Sequence, residues 1–235
     1  ARGIVTEKEG GIGELTVSEY VRTVAEGCPT PGGGSVSSLI ASLSSALLCM
    51  VGSLTARRLE SKKARGCFET RGDTCCEEED PELGFIREVV SRAHRMKEDL
   101  LTLAHEDAAS YDRVIAAYRL SKDTEEEKQA RSQAIQDAFK GACLVPAKVV
   151  KLSLEALRLS EAMAEHGMKS ALSDVAVACL AAWAGMRGAY FNVRINLECI
   201  KDEPFVRQMQ DDVTSCLSQG RDIYERVMAR MEQEL

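Results

Sequence analysis

From Pro81 to Leu120 the sequence contains nothing that stops a helix, and no other feature limits the fold as severely. Asp80 ahead of Pro81 supplies a cap and a first helical position, so the stretch is expected to form a rod of about 39 residues, roughly 58 Å at 1.5 Å per residue. A rod of that length exposes its apolar stripe unless other helices lie along it. The remaining text supplies them. Thr16 and Glu19 have capping-box spacing and open a short helix that Gly27 ends. Ser35 opens a second, expected to run to about Arg58, whose face is crowded with Ser, Ala and Gly and so invites close helix approach. Asp123 or Thr124 starts a fourth, in which Pro146 predicts a kink or break before Gly167 ends it. Residues 170 to 199 and 203 to 234 complete the set.

Aromatic residues make up only 5% of the chain, and no run alternates apolar and polar residues as half-buried strands do. The expected fold is all-α: an elongated bundle of long helices forming one domain over residues 14–235, behind a flexible leader at 1–13. Residues 59–80 are charged and irregular and are expected to be a polar insert loop. Apolar positions on more than one side of the first helices favour a homodimer.

Formal net charge is −7, with Lys and Arg interspersed among Asp and Glu. That excludes the basic stripe of a nucleic-acid-binding surface. No apolar run reaches membrane-spanning length without a polar interruption and no signal peptide is visible, so a soluble, cytoplasmic protein without a membrane partner is expected. The nine cysteines include no Cys-x-x-Cys pair. Cys49, Cys143 and Cys179 sit in apolar helical text as small core residues. The cluster Cys67, Cys75 and Cys76 is the one place where a metal or redox role is conceivable.

Function is most legible where a residue breaks its helix pattern. Positions 100, 103, 107, 111 and 114 share one face of the third helix and read Leu100, Leu103, Asp107, Tyr111 and Val114. A carboxylate there is either bonded to a neighbouring helix for structure, or has its pKa raised for acid/base work. His105 points roughly 200° away from it at 100° per residue, so the two form no dyad. In the fifth helix Asp174, beside Ser173, is either a substrate contact or a favourable charge near the helix N-terminus. Asn192 and Asn196 lie on one stripe behind Gly185 and Gly188, either to bind both edges of a heterocycle or to lace helices together. The run Gly32-Gly33-Gly34 ahead of Ser35 offers bare amides and a helix N-terminus to an anionic or carbonyl group, or is a tight turn.

The segments PTPGGGSVSSLIASLSSALLCMVGSLT, LAHEDAASYDRV and GMKSALSDVAVACLAAWAGMRGAYFNVRINLECIKDEPF occur in this order. Together they resemble the formiminotransferase-cyclodeaminase C-terminal family, which includes stand-alone methenyltetrahydrofolate cyclohydrolases. The likeness spans residues 14 to 234 apart from the insert. It implies an all-helical homodimer with a folate pocket near the subunit interface. By position it places the glycine loop on Gly32, Gly33, Gly34 and Ser35, the catalytic acid on Asp107, the Ser-Asp pair on Ser173 and Asp174, and the amides on Asn192 and Asn196.

Three positions depart from the family pattern. His105 stands where cyclodeaminases often carry a first aspartate, Met168 follows Gly167 in place of Asn, and Ala56-Arg57-Arg58 replaces a glycine followed by basic residues. The resemblance implies a folate substrate, with or without a polyglutamate tail, and chemistry that needs no metal or redox cofactor. Arg57 or Arg58 would meet the glutamate tail. Cyclodeaminase is the first expectation, methenyltetrahydrofolate cyclohydrolase the second, and a non-catalytic folate-binding or scaffold protein the third.

Overall fold

A computed structural model describes residues 12–69 and 80–235, with the side chains of 66–69 excepted; the Cys67 side chain and all of Cys75 and Cys76 lie outside what it describes. Among the described residues six α-helices follow one another: α1 Val17–Ala25, α2 Gly33–Glu69, α3 Pro81–Tyr118, α4 Glu125–His166, α5 Leu172–Leu197 and α6 Glu203–Glu234. Among the described residues there is no strand.

Local chemistry sets the helix starts. Thr16 and Thr124 each form a capping box, with Glu19 and Glu127 respectively. Asp80 accepts from Glu82 N–H at 3.0 Å with Pro81 at the first helical position. Gly27, at φ 74°, follows the end of α1.

In two places the helices outrun the expectation from sequence. α2 begins at Gly33 and continues to Glu69, so residues 59–69 of the expected insert loop are helical. The physical reason lies in their composition, since Glu60, Lys62, Lys63, Ala64 and Arg65 are good helix formers. Ser61 also donates to the Arg57 carbonyl at 2.8 Å, and Arg87 of α3 reaches Glu60 at 3.0 Å. α4 runs through Pro146 without a break. Pro146 is buried there between apolar neighbours, so tertiary packing offsets the helix penalty of roughly 3 kcal/mol.

α2 is the central rod, with α3 and α5 packed along it; α4 bridges α3 and α5, and α6 covers α4 and α5. Leu48, Ile86, Leu100, Leu157, Met163 and Met186 are fully buried between them. The serines of α2 fasten it to its neighbours. Ser38 donates to the Leu100 carbonyl at 2.6 Å, Ser42 to that of Lys97 at 2.9 Å, and Ser44 to that of Ala178 at 2.7 Å. On α5, Gly185 lies so close to α2 that a Cβ would stand 2.8 Å from the Ser37 carbonyl oxygen. By length and composition residues Gly33–Arg65 could cross a bilayer, yet 50% of that apolar window is buried inside the bundle, as in a core helix.

Burial pushes the thiols of Cys143 and Cys179 up to about 11 and about 12, which makes them inert core residues.

Candidate active site

Where the N-terminus of α2 meets the C-terminal third of α3 and the C-terminal half of α5, a cavity of about 330 Å³ opens. Gly32, Gly33, Gly34, Asp107, Asn192 and Asn196 all line it. Residues far apart in the chain, chosen for breaking their helix patterns, therefore share one site.

Asp107 is its centre. Leu100, Leu103 and Val114, on the same face of α3, are buried, while Asp107 itself is half-buried at the cavity wall. Loss of solvent raises its pKa above the ordinary carboxylate value, and the backbone N–H of Ser35, which it accepts, pulls the other way without cancelling the effect.

This contact also explains the glycines. A Cβ on Gly34 would overlap the Asp107 carboxyl group. The glycine is needed for close approach, allowing the carboxylate to sit on the first turn of α2. The expectation that these amides serve a ligand needs one correction: the Ser35 amide serves the protein's own carboxylate. Ser35 is in turn held from below, since its Oγ lies 3.2 Å from the hydroxyl of buried Tyr20. Burial raises the Tyr20 pKa, the bond to Ser35 lowers it, and the charge of Asp107 raises it further.

The two amides differ in their anchoring. Asn192 Nδ2 donates to the Gly188 carbonyl of its own helix at 2.9 Å and lies beside Gly33. Asn196 Nδ2 reaches across to the Ala142 carbonyl of α4 at 3.0 Å. Both amides thus do lace the structure, and both still border the cavity.

Sequence reasoning missed the aromatic wall. Tyr111, Tyr118 and Phe139 also line the cavity, the last two edge to face at 6.2 Å. Tyr111 was visible as a neighbour of Asp107 on one helix face, and Tyr118 lies two turns further on. Phe139 comes from α4, and no local pattern points to it. His105 is exposed and takes no part.

Ser173, Asp174, Arg57 and Arg58 are not brought to this cavity within one chain. Asp174 lies 18 residues before Asn192, about 27 Å along α5, and Arg57 is about 34 Å along α2 from Gly34 at 1.5 Å per residue. Ser173, Arg57 and Arg58 are exposed and Asp174 is half-buried. Met168 packs against the core, and its N–H donates to Thr55 Oγ1 at 3.1 Å.

A helical bundle with one desolvated carboxylate, two anchored amides and an aromatic wall defines a class of small-molecule site suited to proton transfer. The family model described as formiminotransferase-cyclodeaminase matches residues 16–215, and this chain belongs to that family. It is 30% identical to a methenyltetrahydrofolate cyclohydrolase of Methylorubrum extorquens over 92% of this chain and 95% of that protein. It is 29% identical to the formimidoyltransferase-cyclodeaminase of Rattus norvegicus over 93% of this chain but 37% of that protein, so it spans little more than a third of the animal relative. A formiminotetrahydrofolate cyclodeaminase of Thermotoga maritima has a similar structure, with a TM-score of 0.76 at 27% identity, covering 94% of this chain and 98% of that one.

Proposed function

We propose that this protein is a formimidoyltetrahydrofolate cyclodeaminase, converting 5-formimino-tetrahydrofolate to 5,10-methenyltetrahydrofolate and ammonia, with Asp107 as its proton-transfer group. The observation that carries this reading is the Asp107 carboxyl at the cavity wall, its pKa raised by burial and its position fixed by Ser35 N–H. From the amidinium form of the substrate, N10 attacks the amidine carbon and a new C–N bond forms. Asp107 takes the N10 proton and delivers it to the departing nitrogen, which leaves as ammonia as the methenyl cation forms. Atoms and charge balance with no further reactant. A carboxyl whose pKa is raised suits both halves of that transfer.

A cavity of about 330 Å³ lies at the small end of ligand sites, the size for a pterin head whose remainder extends over the surface. Tyr111, Tyr118 and Phe139 offer faces to that ring.

The protein acts as a homodimer in this reading. Leu43 and Leu54 on α2 and Val177, Leu180, Phe191 and Ile195 on α5 form one exposed apolar face, with Phe191 at 52% and Ile195 at 59% exposure. Helical spacing puts Arg57 and Ser173 on that face, at the end opposite Gly33. A two-fold axis crossing α2 at right angles near Leu43 would exchange the two ends. It would carry a second copy's Ser173, Asp174 and Arg57 toward this copy's cavity, where the arginine would meet a glutamate or polyglutamate tail.

A second reading, methenyltetrahydrofolate cyclohydrolase, is favoured by the match to nearly the whole length of the Methylorubrum cyclohydrolase. There Asp107 would accept a proton from the water attacking the methenyl carbon. Purified protein given formimino- and methenyl-tetrahydrofolate decides between them. Ammonia release with rising methenyl absorbance supports the first reading, and methenyl decay above the spontaneous rate supports the second. Asp107→Asn is expected to lower kcat by about 10²- to 10⁴-fold with the helical circular dichroism unchanged. Activity near the wild-type level in that variant refutes the assignment.

A further inference from the structure

Proline inside a helix has no N–H to give, and its ring displaces the carbonyl four residues earlier. In α4 the proline is Pro146 and the displaced carbonyl is that of Ala142. A carbonyl deprived of its helical donor in the interior must find another. Its donor is Asn196 Nδ2 of α5, at 3.0 Å. Ala142 and Asn196 both line the cavity that holds Asp107.

We infer that Pro146 is a positioning residue: by freeing the Ala142 carbonyl it fixes the Asn196 amide, so that Oδ1 is presented as a hydrogen-bond acceptor at the cavity. Asn192 provides the contrast. Its Nδ2 donates to the Gly188 carbonyl of its own helix, the same carbonyl that the helical N–H of residue 192 addresses, so that amide has no acceptor of its own. Asn196 holds an acceptor vacated for it on another helix. With one N–H of its NH₂ group committed to Ala142 the amide plane is held, and Oδ1 is left to accept from a ligand, which favours an N–H donor of a heterocycle. The identity of that heterocycle rests on the folate reading; the role of Pro146 in fixing the amide does not.

Pro146→Ala restores the N–H and a regular helix, so the fold is expected to survive with Tm equal to or above wild type. Crystal structures of wild type and Pro146→Ala without ligand test the geometry. The Ala142 carbonyl should turn back into α4, with the Asn196 amide beyond hydrogen-bond reach or spread over several rotamers. An Asn196–Ala142 bond equally short and ordered in the variant overturns the inference.

With a turned-over folate, Pro146→Ala should raise KM by about 3- to 10-fold, the size of one net hydrogen bond, with kcat within about twofold. Combined with Asn196→Ala it should add nothing to the loss caused by Asn196→Ala alone, whereas additive losses overturn the inference. If wild type neither binds nor converts folates, the proposed substrate falls and the crystal structures alone decide the role of Pro146.

Discussion

At the glycine end of the α2/α5 pair, polar side chains are held by backbone groups and border a cavity; at the opposite end they face solvent or are used up in packing. Asp107 accepts from Ser35 N–H, and Asn192 and Asn196 each donate to a carbonyl, so all three are oriented before any ligand arrives. At the far end Thr55 Oγ1 is taken by Met168 N–H, while Arg57, Arg58 and Ser173 lie exposed. The same two helices carry both sets. Residue type does not separate a reactive group from a solvated one; desolvation and a fixed hydrogen-bond partner do.

The sharpest way to break this contrast is to damage the glycine end with a single methyl group. Gly34→Ala puts a Cβ where the Asp107 carboxyl sits, and the carboxylate must move. Activity should fall by about 100-fold, as for a catalytic group displaced by about 1 Å. Gly84→Ala, on α3 with nothing within 4 Å of its added Cβ, is the control and should leave steady-state kinetics unchanged.

A charge on the apolar face tests whether the far end serves a second copy's cavity. Leu43 is 56% exposed. Leu43→Asp should give a monomer in sedimentation and lose activity together with the dimer, while circular dichroism stays helical. A monomeric variant that keeps full kcat and KM would leave Ser173, Asp174 and Arg57 without a role at the site.

The smallest effect separates the two ends by pH. Because the folded-state pKa of Asp107 is raised, its contribution to stability is fully present below the unfolded value near 3.8 and is lost as pH rises through the folded value. Asp107→Asn should therefore melt at the wild-type temperature or above it at neutral pH, with any gap closing in acid. The same raised pKa makes wild-type activity fall as pH drops through it, since the carboxylate must be ionised to take a proton. An Asp107→Asn variant that melts below wild type at neutral pH, with that deficit closing in acid, would show that Asp107 is a stabilising ion and not a desolvated one.

The helices were largely legible because their ends are local events. Thr16, Asp80, Thr124 and Gly167 lie at ends set by caps and breakers within a few residues. The errors fell where long-range packing or unbroken propensity outweighed those signals: α2 runs past Arg58, and α4 continues beyond Pro146. At the site, Asp107, the glycines and both asparagines stood out as violations of pattern. Phe139, Tyr20 and the link from Pro146 to Asn196 did not, since each depends on which helix lies opposite.

By itself the sequence determined that the chain would be helical, where most helices start, which family it resembles and which polar residues sit awkwardly on apolar faces, because capping and periodicity act over a turn or two. Only the tertiary structure decided that Gly34 exists to admit Asp107 and that Asn196 answers a carbonyl released by Pro146. It also decided that Arg57 and Asp174 lie tens of ångströms from the cavity, roughly 34 and 27 Å along their own helices. Those relations join residues distant in sequence, and they arise only when small side chains let α2, α3, α4 and α5 pack at close quarters.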